Sequence, residues 1–419
     1  YKFSTSNGYE SRELENNAVV SEDKFDLSYV SGIDDVAAKI DFDFLPSPEH
    51  YVRFGANVIL HTFKPGAFHS LYSSFEVDED SSGFNADYVQ PYVHAGEFAA
   101  YMEDDWKLTS RLRINGGLHF SGFILDDQPY FSLQPRLNAR YLFDRGWSLK
   151  AGFSSMRQYI HLLTNETIGL PTDLWLPTTK RVKPQDAWQV ALGTAKTIGK
   201  DYEFSMELYY KEMNNVIAFR EGSSLLQFQG WEDRVVQGDA NAYGAEFFVQ
   251  KKTGRLSGWV GYTLSWANRQ FDDINLGKVF PYKYDRRHDF EITGSYQFTK
   301  RFSLAATWVY STGNAVTLGN SRYLGPNPYG SYQEEVTHTP QRNNFRMPSY
   351  NRLDIGVEFN KKKRRYTRTW AFGAYNAYNR KNPFFLYTDT EYQNGSNTKV
   401  LKKASLFPVV PYFAWSFKW

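Results

Sequence analysis

The chain has 419 residues, a formal net charge of +2 and no cysteine. So balanced a charge argues against a nucleic-acid binder held by a strongly basic surface, and the lack of Cys excludes disulfide frameworks, thiolate metal sites and cysteine nucleophiles together. Aromatic residues reach 18%, with 30 Tyr and 33 Phe, yet mean hydropathy is only -0.55 and no run of about 18 uncharged apolar residues offers a helical membrane span.

At the start of the chain there is no charged stretch leading into an apolar segment and a cleavage site, so no secretion signal is legible. Tyr1 to Ser6 already reads as strand, which is the expectation for a mature or truncated polypeptide. From there the pattern is a side-chain period of two, interrupted by polar connectors. Leu112, Ile114, Leu118 and Phe120 share one face opposite Arg111, Arg113, Asn115 and His119. Leu133, Leu137, Ala139 and Tyr141 oppose Gln134, Arg136, Asn138 and Arg140. Tyr202, Phe204, Met206, Leu208 and Tyr210 oppose Glu203, Ser205, Glu207 and Lys211. Two carboxylates facing lipid would be costly, so that second face must be wet.

The later strands repeat the division. Phe290, Ile292, Tyr296 and Phe298 oppose Asp289, Glu291, Thr293, Ser295 and Gln297. Phe302, Leu304, Ala306, Trp308 and Tyr310 oppose Ser303, Ala305, Thr307 and Ser311, and Leu353, Ile355, Val357 and Phe359 oppose Arg352, Asp354 and Glu358. The last residues set Phe413, Trp415, Phe417 and Trp419 against Ala414, Ser416 and Lys418. Such a stripe suits either the core of a soluble sheet or the lipid face of a barrel's closing strand.

The connectors decide between these. Short ones fall at Pro46 to Glu49, Leu108 to Arg111, Phe143 to Gly146, Thr197 to Asp201, Lys252 to Arg255, Thr299 to Arg301 and Asn360 to Arg365. Between them lie mostly longer polar stretches, at Gly8 to Asp23, Pro65 to Val93, Asn165 to Lys180, Arg220 to Glu232, Phe271 to Tyr282, Gly313 to Met347 and Arg380 to Ser405. Short turns at one end and long loops at the other are the arrangement of outer-membrane barrels. The reading is therefore all-β: a transmembrane antiparallel β-barrel of about 16 strands, with both chain ends on the periplasmic side. A soluble protein of stacked sandwiches would need the charged face, the aromatic face and the alternating loop lengths all to be coincidence.

Several words of the sequence carry a family resemblance. Phe280 to Phe290 (FPYKYDRRHDF), Leu256 to Ser265 (LSGWVGYTLS), Ala242 to Glu246, Ala100 to Thr109, Gln134 to Leu137 and Tyr375 to Pro383 resemble segments of TonB-dependent outer-membrane receptors. The resemblance runs over nearly the whole chain. It implies a 22-stranded barrel filled by an N-terminal plug, preceded by a segment that engages the TonB complex. The strand count falls about six short of that, and nothing before Tyr1 supplies a plug. Residues 1–419 are accordingly expected to be the C-terminal portion of the barrel domain, with the plug and TonB-binding segment outside this chain.

The resemblance implies a Gram-negative outer-membrane protein that binds and imports a scarce or large ligand. A porin-like passive channel, and a receptor-derived barrel serving as structural subunit of an envelope complex, remain the alternatives. The partners it implies are outer-membrane lipid, the TonB complex through the missing N-terminal region, the barrel-insertion machinery, and a surface lipoprotein or other envelope subunits, with no nucleic acid. Phe413, Trp415, Phe417 and Trp419 resemble the C-terminal signal that the insertion machinery recognises.

No catalytic or metal site and no cofactor is expected. Asp285-Arg286-Arg287-His288 reads as inward hydrogen bonds and ion pairs at the barrel rim, since a lone His is a poor metal site. Lys361 to Arg365 reads as a solvated turn. Glu76, Asp78, Glu79 and Asp80 lack the spacing of a Ca²⁺ loop and read as a solvated acidic loop. In the loop Gly313 to Met347, Arg322, Tyr323, Tyr329 and Tyr332 are candidate ligand contacts, because aromatic and polar side chains on long loops grip sugars or peptides by stacking and hydrogen bonding. They equally suit packing between loops.

Overall fold

The computed structural model describes residues 2–15, 18–76, 79–89, 91–164, 173–223, 230–326, 333–393 and 396–419. Its centre is one antiparallel sheet of 18 strands, of which Glu79–Val89 and Phe280–Pro281 are short additions, leaving sixteen in meander order. They are β1 (Lys2–Glu15), β2 (Ala18–Ser47), β3 (His50–Glu76), β4 (Val93–Lys107), β5 (Leu112–Leu125), β6 (Gln128–Leu142), β7 (Trp147–Gln158) and β8 (Gln185–Ile198). The second half comprises β9 (Tyr202–Phe219), β10 (Val235–Lys251), β11 (Leu256–Gln270), β12 (His288–Thr299), β13 (Phe302–Ser311), β14 (Tyr350–Lys362), β15 (Thr367–Tyr375) and β16 (Val410–Lys418). Every short turn expected from sequence joins two of these strands at one end of the sheet. Among the described residues β16 pairs with β15 and β1 with β2, and no pairing joins β1 to β16.

The division of faces follows from the period of two. Val36, Ile40, Phe42 and Phe44 on β2, and Phe54, Val58 and Leu60 on β3, are exposed, whereas Lys39, Asp41 and Asp43 between them meet polar or charged partners on the other face. Aromatics gather at two heights of the apolar face. Trp188, Tyr210, Tyr243 and Trp266 form a ladder across β8 to β11, with ring centroids 5.5, 6.4 and 5.3 Å apart. Near the short turns, Phe302 lies 5.2 Å from Phe298 and 4.9 Å from Phe359, and Tyr366 packs on Phe417. From Tyr202, with Lys251 over its ring, to Tyr210 on the same strand is ~26 Å. At the ~40° tilt of barrel strands this is ~20 Å of height, comparable with the ~25 Å apolar band between aromatic girdles in a membrane barrel.

Two expectations need correction. The stretches Gly8 to Asp23 and Pro65 to Val93 are not loops: β1 pairs with β2 from Lys2 with Gly32 to Glu15 with Ala18, and Glu79–Val89 pairs with β3 from Glu76 down to Ala67. Together they make a four-stranded blade. It rises ~50 Å beyond the apolar band at about 3.3 Å per residue. Its residues lack the sustained apolar–polar alternation that marks a barrel strand, so the sequence reads as polar connector. The same pairing places Lys2 level with Gly32, at the outer edge of the band. The first described residues are therefore not at the periplasmic end, and among the described residues β2 is the last strand on its side at the height of the band.

Three of the other long connectors also carry hairpins: Ile160–Thr164 with Asp173–Pro177, Ser321–Pro326 with Gln333–His338, and Phe385–Gln393 with Ser396–Ala404.

Candidate functional site

The polar face is a continuous charged wall. Asp41 accepts a hydrogen bond from the Tyr101 hydroxyl at 2.7 Å and pairs with Lys39 at 3.0 Å. Asp43 accepts from Tyr51 at 2.7 Å, and Arg53 pairs with Glu103. Further round, Arg113 pairs with Asp105 at 2.6 Å, and Arg352 pairs with Asp354 at 3.0 Å beneath the Tyr375 ring. Two clefts open on this wall. One of about 440 Å³ is lined by Lys39, Tyr101, Glu103, His119 and Arg136, and one of about 490 Å³ by Asp105, Arg113, Arg140, Lys150 and Glu207. Partnered charges of both signs on a wet wall give hydrogen-bonding capacity without a net field.

At the end opposite the short turns, a hairpin crosses this wall. After Gln158 the chain leaves β7 and turns onto the polar face, where Tyr159 stacks on Phe123 at 5.2 Å and its hydroxyl meets Ser121 at 2.9 Å. Gln134 donates to the same Ser121 at 2.7 Å. Ile160 extends this into a buried cluster with Ile33, Phe63, Ala95, Phe123 and Leu125, which spans the inner surface from β2 to β5. The hairpin's second strand, Asp173–Pro177, lies within 8 Å of β2 and β3. Its Leu163, Leu174 and Leu176 are buried against Val182, Ile217, Phe219, Trp231 and Val235. His161, on that same side, is wholly buried, and burial without a counter-charge pushes its imidazole down to about 4. The polar face is thus the inside, and the hairpin narrows its mouth.

Beside the hairpin lies a cleft of about 660 Å³ lined by Asp126, Asp127, Lys180, Arg181, Glu232 and Asp233, among others. Arg181 pairs with Asp233 at 2.7 Å and lies 3.7 Å from Glu232.

The residues singled out from sequence lie apart. Arg322 and Tyr323 are exposed on the Ser321–Pro326 strand, and Tyr329 and Tyr332 fall outside the described residues. Asp78 does too, while Glu76 pairs in register with Glu79 at the tip of the blade. Lys363 to Arg365 make the exposed turn after β14. The rim cluster forms ion pairs as expected, but Arg287 and His288 do not face inward. Arg287 lies over Trp266 and His288 meets the Tyr262 hydroxyl at 3.0 Å, both on the apolar face. The period of two running from Phe290 carries His288 to that side. Phe413, Trp415 and Phe417 are exposed on β16, with Trp370 opposite Trp415 and Phe372 opposite Phe413.

The mouth hairpin was missed, although it leaves a signal. Ile160 to Leu163 and Leu174 to Leu176 are short apolar runs without alternation, the pattern of a strand covered on both faces.

The sequence matches the family model "TonB dependent receptor-like, beta-barrel" over residues 1–379. Among solved structures it is similar to the unliganded ferric citrate transporter FecA, at 13% identity and a TM-score of 0.52, covering 98% of this chain and 60% of that one. The copper transporter OprC gives 12% identity and a TM-score of 0.55 over 91% of this chain and 60% of its own. The ferripyoverdine receptor of the outer membrane of Pseudomonas aeruginosa gives 12% and 0.51, over 98% and 52%. At such identities the likeness is one of fold. This chain spans 52% to 60% of the length of these structures, and no curated protein sequence matches it.

Proposed function

Because this chain belongs to the TonB-dependent receptor family through its β-barrel domain, we propose that it is the C-terminal part of an outer-membrane importer, one that binds a large or scarce ligand and admits it by gating. The family comprises transport proteins, and this chain is not an enzyme. The observation that carries the importer reading is the pair of unmatched edges at membrane height. Among the described residues, β2 from Ile33 to Ser47 has β3 alone as partner on one side, and on the other β16 has β15 alone. Unpaired backbone groups inside a bilayer each cost several kcal/mol. Further strands of the same polypeptide, continuing β1 downward beside β2, would satisfy them, and a plug would dock on the charged wall. A self-contained porin would instead join β16 directly to β2, and the mouth hairpin would obstruct its channel.

In this reading the protein faces outer-membrane lipid with its aromatic girdles, takes force from the TonB complex through a segment preceding this chain, and uses Phe413, Trp415, Phe417 and Trp419 as its insertion signal. Arg322, Tyr323, Tyr329 and Tyr332 remain candidates for first contact with ligand on an outer loop. The intact mass of the native polypeptide tests the architecture. A value well above 48.6 kDa is expected, and 48.6 kDa overturns it. Planar-bilayer recordings test the class. The native protein should hold no steady open channel, and a stable conductance would restore the porin.

A further inference from the structure

A cavity of about 310 Å³ lies between the mouth hairpin and the inner wall, lined by Gln158, Leu162, Trp175, Gln185, Arg269 and Tyr282 among others. It differs in kind from the clefts above. Each of those is bordered by carboxylates and cations together, whereas among the described residues this lining contains no carboxylate and no lysine. Its single cation is committed: the Arg269 guanidinium lies 3.6 Å from the centre of the Tyr282 ring, donates to the Ile217 carbonyl at 3.1 Å, and the residue is 8% exposed.

The remaining side chains are two aromatic rings, four amides and a few small or apolar groups; of the amides, Asn268 donates to Asn241 at 3.2 Å, and Gln158 and Gln185 lie on the neighbouring strands. Trp175 and Leu162 are cross-strand partners on one face of the hairpin. The other face is locked by the buried Leu163, Leu174 and Leu176. The indole is thus a platform on a fixed mount. Opposite it, Gln158 and Gln185 are register partners on β7 and β8. Gln158 spends its amide nitrogen on the Ile160 carbonyl, which leaves its oxygen to accept.

We propose that this cavity binds a neutral saccharide unit of the imported ligand. A pyranose ring has an apolar C–H face, which an indole or phenol ring covers, and a rim of hydroxyls that both donate and accept, which glutamine amides match. An anionic iron chelate would shed its hydration here without meeting an uncommitted cation. A hydrocarbon would strand the amides. The volume lies at the small end for ligand pockets, enough for a ring or two and not for a large chelate.

The inference rests on the importer reading only for the direction of travel. Its test is calorimetric titration of the full-length protein in detergent with neutral glucose, xylose and galactose oligosaccharides, and separately with ferric citrate. Saccharide binding is expected, weakened roughly tenfold, about 1.4 kcal/mol, by Trp175→Ala and by Gln158→Ala. Trp188→Phe, on the apolar face, should leave it unchanged, and ferric citrate should not compete. The proposal is overturned if no saccharide binds to protein of native circular dichroism, if ferric citrate binds in a Trp175-dependent way, or if both cavity variants bind as the parent does. Saccharide binding without energy-dependent uptake would sink the importer and keep the site. Energy-dependent uptake of another ligand without saccharide binding would do the reverse.

Discussion

Asp285 and Arg346, 61 residues apart in sequence, are joined by an ion pair at the outer rim, and the Asp285 side chain has no exposure to solvent. The same carboxylate accepts from the Ala267 backbone at 2.7 Å and lies 3.3 Å from Arg287. Arg346 also reaches the Asp285 carbonyl and, at 3.4 Å, that of Gly313. There the chain passes so close to Met347 that a Cβ on Gly313 would collide with its carbonyl oxygen. One carboxylate thus ties two long outer loops to β11.

Removing it should be expensive. Breaking a buried pair from one side costs roughly 3–5 kcal/mol, and because the Arg346 side chain is 38% exposed we expect Asp285→Ala to lose about 2–4 kcal/mol. Asp285→Asn, which still accepts from Ala267, should lose less. Urea midpoints of the protein folded in lipid measure both. Equal stability of Asp285→Ala and the parent would show that the pair holds nothing.

The buried His161 makes the mouth hairpin sensitive to acid. Its imidazole titrates near 4 in the folded hairpin and near 6.5 when released. The released form therefore binds more protons between those values, and stability falls as pH drops through that window. The full loss is roughly 3 kcal/mol of hairpin docking. Amide exchange of Ile160–Thr164 should accelerate between pH 6.5 and 4.5 beyond the intrinsic rate. His161→Phe should flatten the profile, and a profile unchanged by that substitution would contradict the assignment.

Neighbouring positions on β8 test the division of faces. Leu192, exposed on the apolar face between the girdles, should cost about 2–4 kcal/mol when replaced by Arg at the midplane of a bilayer. Ala191→Arg, into the wet cleft beside Glu207, should be close to neutral. Refolding equilibria into lipid vesicles give both, and a reversed order would exchange inside for outside.

On β16, replacing both Phe417 and Trp419 by Ala should lower the amount of protein inserted in the outer membrane several-fold, whereas Ala414→Ser, on the opposite face, should not. Heat-dependent migration of the folded barrel in gels reports the inserted fraction. Undiminished insertion of the double variant would remove the signal role.

The barrel strands were legible because each has one face in water and one in an apolar phase, so that Leu112 to Phe120 or Phe302 to Tyr310 spell their own orientation. The loop hairpins were not, since a stretch such as Tyr387 to Tyr392, exposed at nearly every position, carries no such contrast, and the blade strands lack sustained alternation. The mouth hairpin failed the other way, for Ile160 to Leu163 is covered on both sides. The committed Arg269 and the Asp285 anchor depend on residues tens of positions distant, which no local period reveals.

Where the blade meets the wall, the register between β2 and β3 shifts by one residue: Val30 stands opposite Ala67 and Gly32 opposite Lys64, with Pro65 and Gly66 in the bulge. A proline has no ladder hydrogen to lose there. In a plain ladder, any slip in the outer sheet would propagate downward and turn every lipid-facing side chain into the lumen. The bulge acts as a firebreak. Insertions and drift in the outermost strands can accumulate above it while Val36, Ile40, Phe42 and Phe44 keep their heading, so the exposed end is free to change at the pace of whatever meets it outside.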